Sequence, residues 1–382
     1  MSLLNDSEET DHFESCGSTD DDDDDDSAAI ATTTATATAA ALAPIDAAIA
    51  AGATAASFGV PDSCPDLREC GVKVRELRAL LVASGSCAPS AVPQRMVETA
   101  SMSDDYMLLR FLIARDFDLA KACVMFDERK AFAEGCALDA LHAAWERAND
   151  AVAAANGAAA APPILSARLR LQRKIFYAGQ NSADARDGTP IFVERMGRAD
   201  FSGVAAEGEP MIALITEAYA IYDELIMRAV QRCSFAQHRL VRATLIVDNS
   251  GMGMGTMWNA HIIKRVANVG LSFFPESTRK IYIIRAPWFI SKLWALMKPI
   301  LPARTSDKVD ILGESYGETI SEIVPPSNLP TFIGGEAKGE WVGRAEPVDD
   351  ECRDLMRAAL EEDAEETTSV KAPAGGGEAA SK

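Results

Sequence analysis

Three stretches of this 382-residue chain carry residue types whose spacing could do chemistry. Gly313-Glu314-Ser315-Tyr316-Gly317 spells G-x-S-x-G after an apolar run, as a hydrolase nucleophile elbow would. In that arrangement the acid and then the histidine follow the serine. Here the last histidine is His261, so Ser315 has no base in the expected order. Gly251-Met252-Gly253-Met254-Gly255-Thr256 looks like a dinucleotide loop, but Thr256 stands where the third glycine is needed. A flexible strand-to-helix loop fits it better. His12, His142, His238 and His261 lie scattered, and the eight cysteines show no C-x-x-C pair. That argues against a zinc site and for reduced thiols in the cytosol. No catalytic residue, metal or cofactor is expected, and the chain is read as a non-enzyme.

The third stretch, from Phe273 to Ser315, offers polar groups beside an unusually greasy helix. Glu276 follows a proline-broken helix end, and Lys308 sits in a polar turn with Thr305. Between them, a strand is expected from Lys280 to Arg285 and a helix from Pro287, where proline suits a first turn. The helix carries Trp288, Phe289, Leu293, Trp294, Leu296, Met297, Ile300 and Leu301, which cover more than one of its faces. Such a helix is either buried on two sides or touches something apolar. It is too short between its prolines to span a bilayer. The pattern leaves two readings open: an ordinary buried helix of an α/β domain, or a lid over an apolar cavity with Glu276 and Lys308 at its mouth.

The elements that must position these residues fall into two lobes. Helices are expected from Asp66 to about Ala83, after the cap Ser103-Asp104, after the cap Asp118 as far as Gly135, and through Leu138, Leu141 and Trp145. The alanine-rich stretch 151–163 reads as a linker. Beyond it, strands are expected at Lys174–Tyr177, Pro190–Arg195, Ala243–Val247 and Val309–Leu312, with helices at 210–231 and 256–271. Strands alternating with helices predict a mostly parallel sheet under helical cover. The organisation is therefore a disordered acidic and Ala/Thr-rich arm (1–62), a helical lobe (63–150), the linker, a βα lobe (164–336) and an acidic tail (337–382).

The formal net charge of −20 belongs mostly to the ends. Residues 1–60 hold no Lys or Arg, whereas residues 164–336 hold 20 basic and 17 acidic side chains, a balance of +3. The centre is suited to approach an anionic membrane that the acidic ends would avoid, and nucleic acid is not an expected partner. The N-terminus lacks the basic and apolar segments of a secretory signal.

Several segments together resemble the CRAL-TRIO lipid-binding family, and the yeast-type phosphatidylinositol/phosphatidylcholine transfer proteins within it. They are LLRFLIARDFDLAKA (108–122), ADARDGTPIFVERMG (183–197), TLIVDNSGM (244–252), FFPESTRKIYIIRAPWFISKLWALMKPIL (273–301) and LPTFIGGE (329–336). The resemblance implies an α/β fold in which a helical N-terminal lobe precedes a βα lobe, with a gate helix closing an apolar pocket. It implies that the gate carries Trp288, Phe289, Leu293, Trp294, Met297 and Ile300. It also implies that Arg115, Glu276, Thr305 and Lys308 form a headgroup site, with Lys308 and Thr305 on phosphate and Glu276 accepting from inositol hydroxyls. Three departures bear on that site: Asp116 for lysine, Ser277 for arginine and Arg285 for asparagine. The implied function is a cytoplasmic carrier of one phospholipid, phosphatidylinositol exchanged with phosphatidylcholine, that docks transiently on membranes. The alternatives are a tocopherol- or retinoid-like ligand, or a membrane-sensing scaffold whose acidic ends bind proteins.

Overall fold

Aspartates open the helices of the first lobe as expected. The structure is a computed structural model and describes residues 44–87, 104–155, 166–175, 178–180, 184–300, 303–337 and 347–371. Two short helices come first, α1 (Pro44–Ala50) and α2 (Ala55–Phe58), then α3 (Leu67–Ala83), α4 (Asp105–Ala114), α5 (Leu119–Gly135) and α6 (Leu138–Ala155). The carboxylates of Asp66, Asp104 and Asp118 accept from the amides of Glu69, Met107 and Lys121, at α3, α4 and α5 respectively. Each cap satisfies a first-turn N–H that has no partner within its helix.

The second lobe contains α7 (Ala167–Ile175), β1 (Ala178–Gln180), β2 (Ile191–Glu194), α8 (Phe201–Glu207), α9 (Glu209–Gln237), β3 (Ala243–Asp248), α10 (Gly255–Trp258), α11 (Ala260–Phe273) and β4 (Thr278–Ile284). It continues with α12 (Ile290–Met297), a 3-10 turn (Lys298–Ile300), α13 (Ala303–Ser306), β5 (Val309–Ile311) and α14 (Gly317–Ile323). The sheet order is β1-β2-β3-β4-β5; β1 runs antiparallel to β2 and the other pairs are parallel. The expected mostly parallel α/β lobe is what forms. Side chains alternate across the sheet. Leu245, Val247, Ile281, Ile283 and Val309 face a cavity. Their neighbours Ile246, Tyr282 and Ile284 pack with Ile320, Val324, Leu329 and Ile333 on the other side.

Four local expectations are corrected. The strand expected at Lys174–Tyr177 gives way to helix at its start: α7 runs to Ile175, residues 176–177 lie outside the described residues, and β1 occupies 178–180. Leu169 and Leu171 alternate like a strand, but Ala167, Leu171 and Ile175 repeat every four residues and are buried together. The helix expected at 256–271 is broken at Asn259, whose side chain donates to the Gly255 carbonyl at 3.0 Å.

The third correction concerns the N-terminal arm, which was expected to be disordered through residue 62. Residues 1–43 lie outside the described residues, but from Pro44 the chain is folded, with Ile45, Phe58 and Val60 buried. Gly71 on α3 leaves room for Ile45, since a Cβ there would come within 3.3 Å of it. Phe58 stacks on Tyr106 at 5.8 Å, and the Phe58 carbonyl accepts from the Leu240 amide at 2.7 Å. Gly59 holds φ +89°, and a Cβ would strike the Leu240 carbonyl at 2.4 Å, so only glycine fits. Low overall hydrophobicity concealed a few well-spaced apolar anchors.

The fourth correction concerns the acidic tail, for which disorder is expected after about Gly343. Helix α15 (Asp350–Lys371) packs along α7, burying Cys352, Leu355 and Ala359. Its acids meet bases of α7: Glu351 lies 2.8 Å from Lys174, and Asp363 lies 2.6 Å from Arg168.

Phe58→Ala tests the folded arm. Deleting a fully buried phenylalanine should cost about 3–5 kcal/mol, read as a lower Tm in thermal unfolding. An unchanged Tm would mean the segment adds nothing to the fold.

Candidate functional site

The cavity above the sheet has a volume of about 650 Å³. Strands β3 to β5 floor it, α11 forms a side wall through Ile263, Val266 and Leu271, and α12 covers it with Ile290, Leu293 and Trp294. Most of the lining is apolar. At one end the chain brings together Arg115, Glu276, Thr305 and Lys308, the four residues implied for a headgroup.

Glu276 sits just before β4 with φ +51°, a left-handed conformation uncommon for a side-chain-bearing residue. Its carboxylate takes a 2.7 Å bond from Arg242 Nε and longer contacts of 3.3 and 3.4 Å from Lys308 Nζ. Burial acts to raise the Glu276 pKa, but Arg242 and Lys308 outweigh it and hold the carboxyl below the usual glutamate value. Burial lowers Lys308, against the opposing pull of Glu276. Thr305 belongs to α13 and lines the same end. Arg115, the C-cap of α4, reaches from the helical lobe, and its Nη1 donates to the Ala114 carbonyl at 3.2 Å. No acid pairs with it among the described residues, which leaves most of its donors available.

Each of the three departures has a structural account. Asp116, outside α4, pairs with Arg304 at 2.7 Å, which ties the segment after the gate to the helical lobe. Ser277 lines the cavity without a charge, and the guanidinium beside Glu276 comes from Arg242 just before β3. Arg285 does not line the cavity. It makes a bidentate pair with Asp248 at 2.9 and 2.6 Å, beyond the C-terminal end of β4.

The gate residues divide by face. Leu293 and Phe289 are buried and form a small cluster with Met252 and Ile290. Trp294 lines the cavity, whereas Trp288 is 69% exposed. The side chains of Met297 and Ile300 lie outside the described residues. Ser315 is exposed in the turn after β5 and does not line the cavity.

Two residues bonded to Glu276 escaped the sequence reading. Arg242 precedes an apolar strand and carries no motif. Arg110, on α4, is fully buried and donates to Gln231 Oε1, Ser234 Oγ, the Val241 carbonyl and the Glu276 carbonyl. Its one signal was a cation within the apolar run of 106–113. A third feature was also missed, the acid pair Glu194 and Asp223 in the cavity wall. Burial, with Asp223 adding to it, pushes Glu194 up to about 8, and burial pushes Asp223 up to about 7.

A carboxyl that binds its proton more tightly when folded stabilises the fold at low pH, and the benefit fades as pH rises through the folded pKa. Wild-type Tm should therefore fall between the ordinary glutamate value of 4.5 and about 8. Glu194→Gln should flatten that fall, matching wild type near the low end and exceeding it at the high end. Parallel Tm profiles for the two proteins would show that Glu194 does not titrate with folding.

Comparison with known proteins adds the following. Residues 73–128 match the CRAL/TRIO N-terminal domain, and residues 181–335 match the CRAL/TRIO domain. The Sec14 cytosolic factor of Schizosaccharomyces pombe is 26% identical over 238 residues, 62% of this chain and 76% of that protein. The SEC14 cytosolic factor of Kluyveromyces lactis is 25% identical over 244 residues, 62% of this chain and 72% of its own length. An Arabidopsis thaliana phosphatidylinositol/phosphatidylcholine transfer protein, SFH11, is 29% identical over 171 residues, 43% of this chain and 44% of that protein. A solved structure titled "Crystal structure of Sfh5" aligns with a TM-score of 0.44 at 12% identity, covering 79% of this chain and 98% of that one.

Proposed function

Because the chain belongs to the CRAL/TRIO family, we propose that it is a non-enzymatic lipid carrier holding one phospholipid, phosphatidylinositol exchanged with phosphatidylcholine, and docking transiently on membranes. The observation that carries this reading is the cavity's make-up: a mostly apolar lining that also holds Arg115, Glu276, Thr305 and Lys308, with Lys308 in contact with Glu276. Acyl chains are read by apolar area, and a headgroup by a few placed polar groups. Lys308 and Thr305 suit a phosphate, Glu276 suits inositol hydroxyls, and Arg115 closes the site from the helical lobe. A tocopherol- or retinoid-like ligand would have little use for four such groups. The Arabidopsis relative is by name a transfer protein for the same two lipids.

The outer surface near the gate supports docking. Trp258 is 83% exposed, Trp288 69% and Leu296 59%, and Met254 lies in the same loop region as Trp258. Met257 of α10 packs on the cluster that holds Phe289 and Leu293, so α10 and the gate are neighbours. Tryptophan favours the membrane–water boundary, and Lys292, over the Trp288 ring at 5.1 Å, adds a cation beside it. No helix among the described residues is long and apolar enough to cross a membrane.

Two experiments test the two halves of the proposal. Lys308→Ala removes a charge-assisted bond to phosphate, worth roughly 1.5–3 kcal/mol, and Glu276→Gln weakens the acceptor. Both should lower phosphatidylinositol binding by about tenfold or more in competition assays, and phosphatidylcholine, held mainly by its chains, much less. An equal loss of both lipids would reduce the pair to a structural salt bridge. For docking, Trp258→Ser with Trp288→Ser should lower partition onto phosphatidylcholine vesicles at unchanged Tm. Undiminished partition would move the docking surface elsewhere.

A further inference from the structure

A second pocket, of about 310 Å³, lies on the far side of Arg242 from the lipid cavity. Ala56 of α2 and the chain after it (Gly59, Val60, Pro61 and Asp62) form one wall, and the rest is built by Thr189, Arg239, Leu240, Arg242 and Arg279. Three guanidiniums therefore meet a single lining carboxylate, Asp62.

Their existing bonds do not account for the gathering. Arg239 makes no side-chain hydrogen bond or ion pair among the described residues. Arg242 spends Nε on Glu276 and Nη1 on the Gly59 carbonyl at 2.7 Å, while its buried Nη2 has no acceptor. Arg279 pairs with the half-exposed Asp187 at 2.6 Å, donates to Thr244 Oγ1 at 3.3 Å and remains exposed itself. Clustering like charges is unfavourable unless something neutralises them. An arginine fork with unused donors matches the oxygens of a phosphate.

We propose that this pocket binds a phosphate-class anion, with Arg239 and Arg279 at its rim and Arg242 at its floor. The anion is a free phosphate or the phosphomonoester of a lipid headgroup; the chemistry is the same. The site does not depend on the lipid reading, since none of its residues except Arg242, through Glu276, touches the headgroup end.

The experiment uses the full chain with two probes. Inorganic phosphate is titrated calorimetrically, and phosphatidylcholine vesicles with and without phosphatidic acid are tested by co-sedimentation. Arg239→Ala loses no side-chain partner, so it should fold normally and weaken binding of the responsive probe by about tenfold. Asp62→Asn removes the opposing charge and should tighten binding, a gain that unfolding cannot mimic. Arg198→Ala, an exposed arginine outside the pocket, should leave binding unchanged. A response confined to inorganic phosphate assigns a soluble ligand, and one confined to phosphatidic acid vesicles assigns a lipid headgroup; either supports the site. The proposal is overturned if neither probe binds, if Arg198→Ala weakens binding as much as Arg239→Ala, or if Asp62→Asn has no effect.

Discussion

The end of the cavity that holds Glu276 depends on one buried cation. Arg110 has no solvent exposure, and taking a guanidinium out of water is costly unless its donors are satisfied. Here they go to two side chains of α9, to the carbonyl just before β3 and to the carbonyl of Glu276. Burial, with the nearby charge of Arg242, lowers its pKa to about 9, so it stays cationic at neutral pH. Glu276 has left-handed backbone, a conformation that costs roughly 1–3 kcal/mol and persists only when its surroundings over-determine it. The bond from Arg110 to its carbonyl is part of that over-determination. A helix of the first lobe thus sets the backbone from which the acid of the second lobe projects.

The apolar chamber follows from a different constraint, the two-residue period of strands. Parallel strands are covered on both faces, and here the covers differ. One face is sealed by α14 and the 324–333 loop, which pack tightly on Ile246, Tyr282 and Ile284. The other is roofed at a distance by α11 and α12, and the gap is the cavity. Helix α12 and the turn before it are apolar on more than one side, one toward the cavity and one toward the surface. Leu293 and Trp294 turn inward, while Trp288 and Leu296 turn out to solvent. Part of the segment packs in a buried cluster, and part lines the cavity.

Features carried by periodicity or local caps were legible in the sequence, and features carried by long-range contacts were not. Asp104 and Asp118 announced their helices because a cap lies within three residues of the amide it serves. The strand around Ile281–Ile284 was legible as an unbroken apolar run. Glu276 and Lys308 stood out as polar residues flanking a greasy helix. Arg242 could not stand out, since its partner lies 34 residues away and nothing in its neighbours points there. The folded part of the arm was hidden for a related reason. Ile45 and Phe58 are sparse in an alanine-rich background, and their burial depends on Gly71 and Tyr106 in distant segments. Helix α15 was masked by its acidity, which α7 answers with Lys174 and Arg168.

The substitutions that set this chain apart from the pattern it resembles move charges without emptying the site. Ser277 gives up a guanidinium beside Glu276, and Arg242 supplies one from the preceding strand edge. The two cations on Glu276 are not equivalent. Arg242 donates at 2.7 Å from a side chain also anchored to the Gly59 carbonyl, whereas Lys308 lies at 3.3–3.4 Å, close to the limit of a hydrogen bond. An incoming phosphate competes more easily for the looser contact and for the flexible amine. On the proposed reading, Lys308 turns to the phosphate while Arg242 keeps Glu276 ionised and in place to accept from hydroxyls. A single acid–base pair would leave Glu276 buried and unpaired at that moment, at a cost of several kcal/mol. The third charge removes that penalty, so on the proposed reading Lys308 can leave Glu276 without stranding the carboxylate.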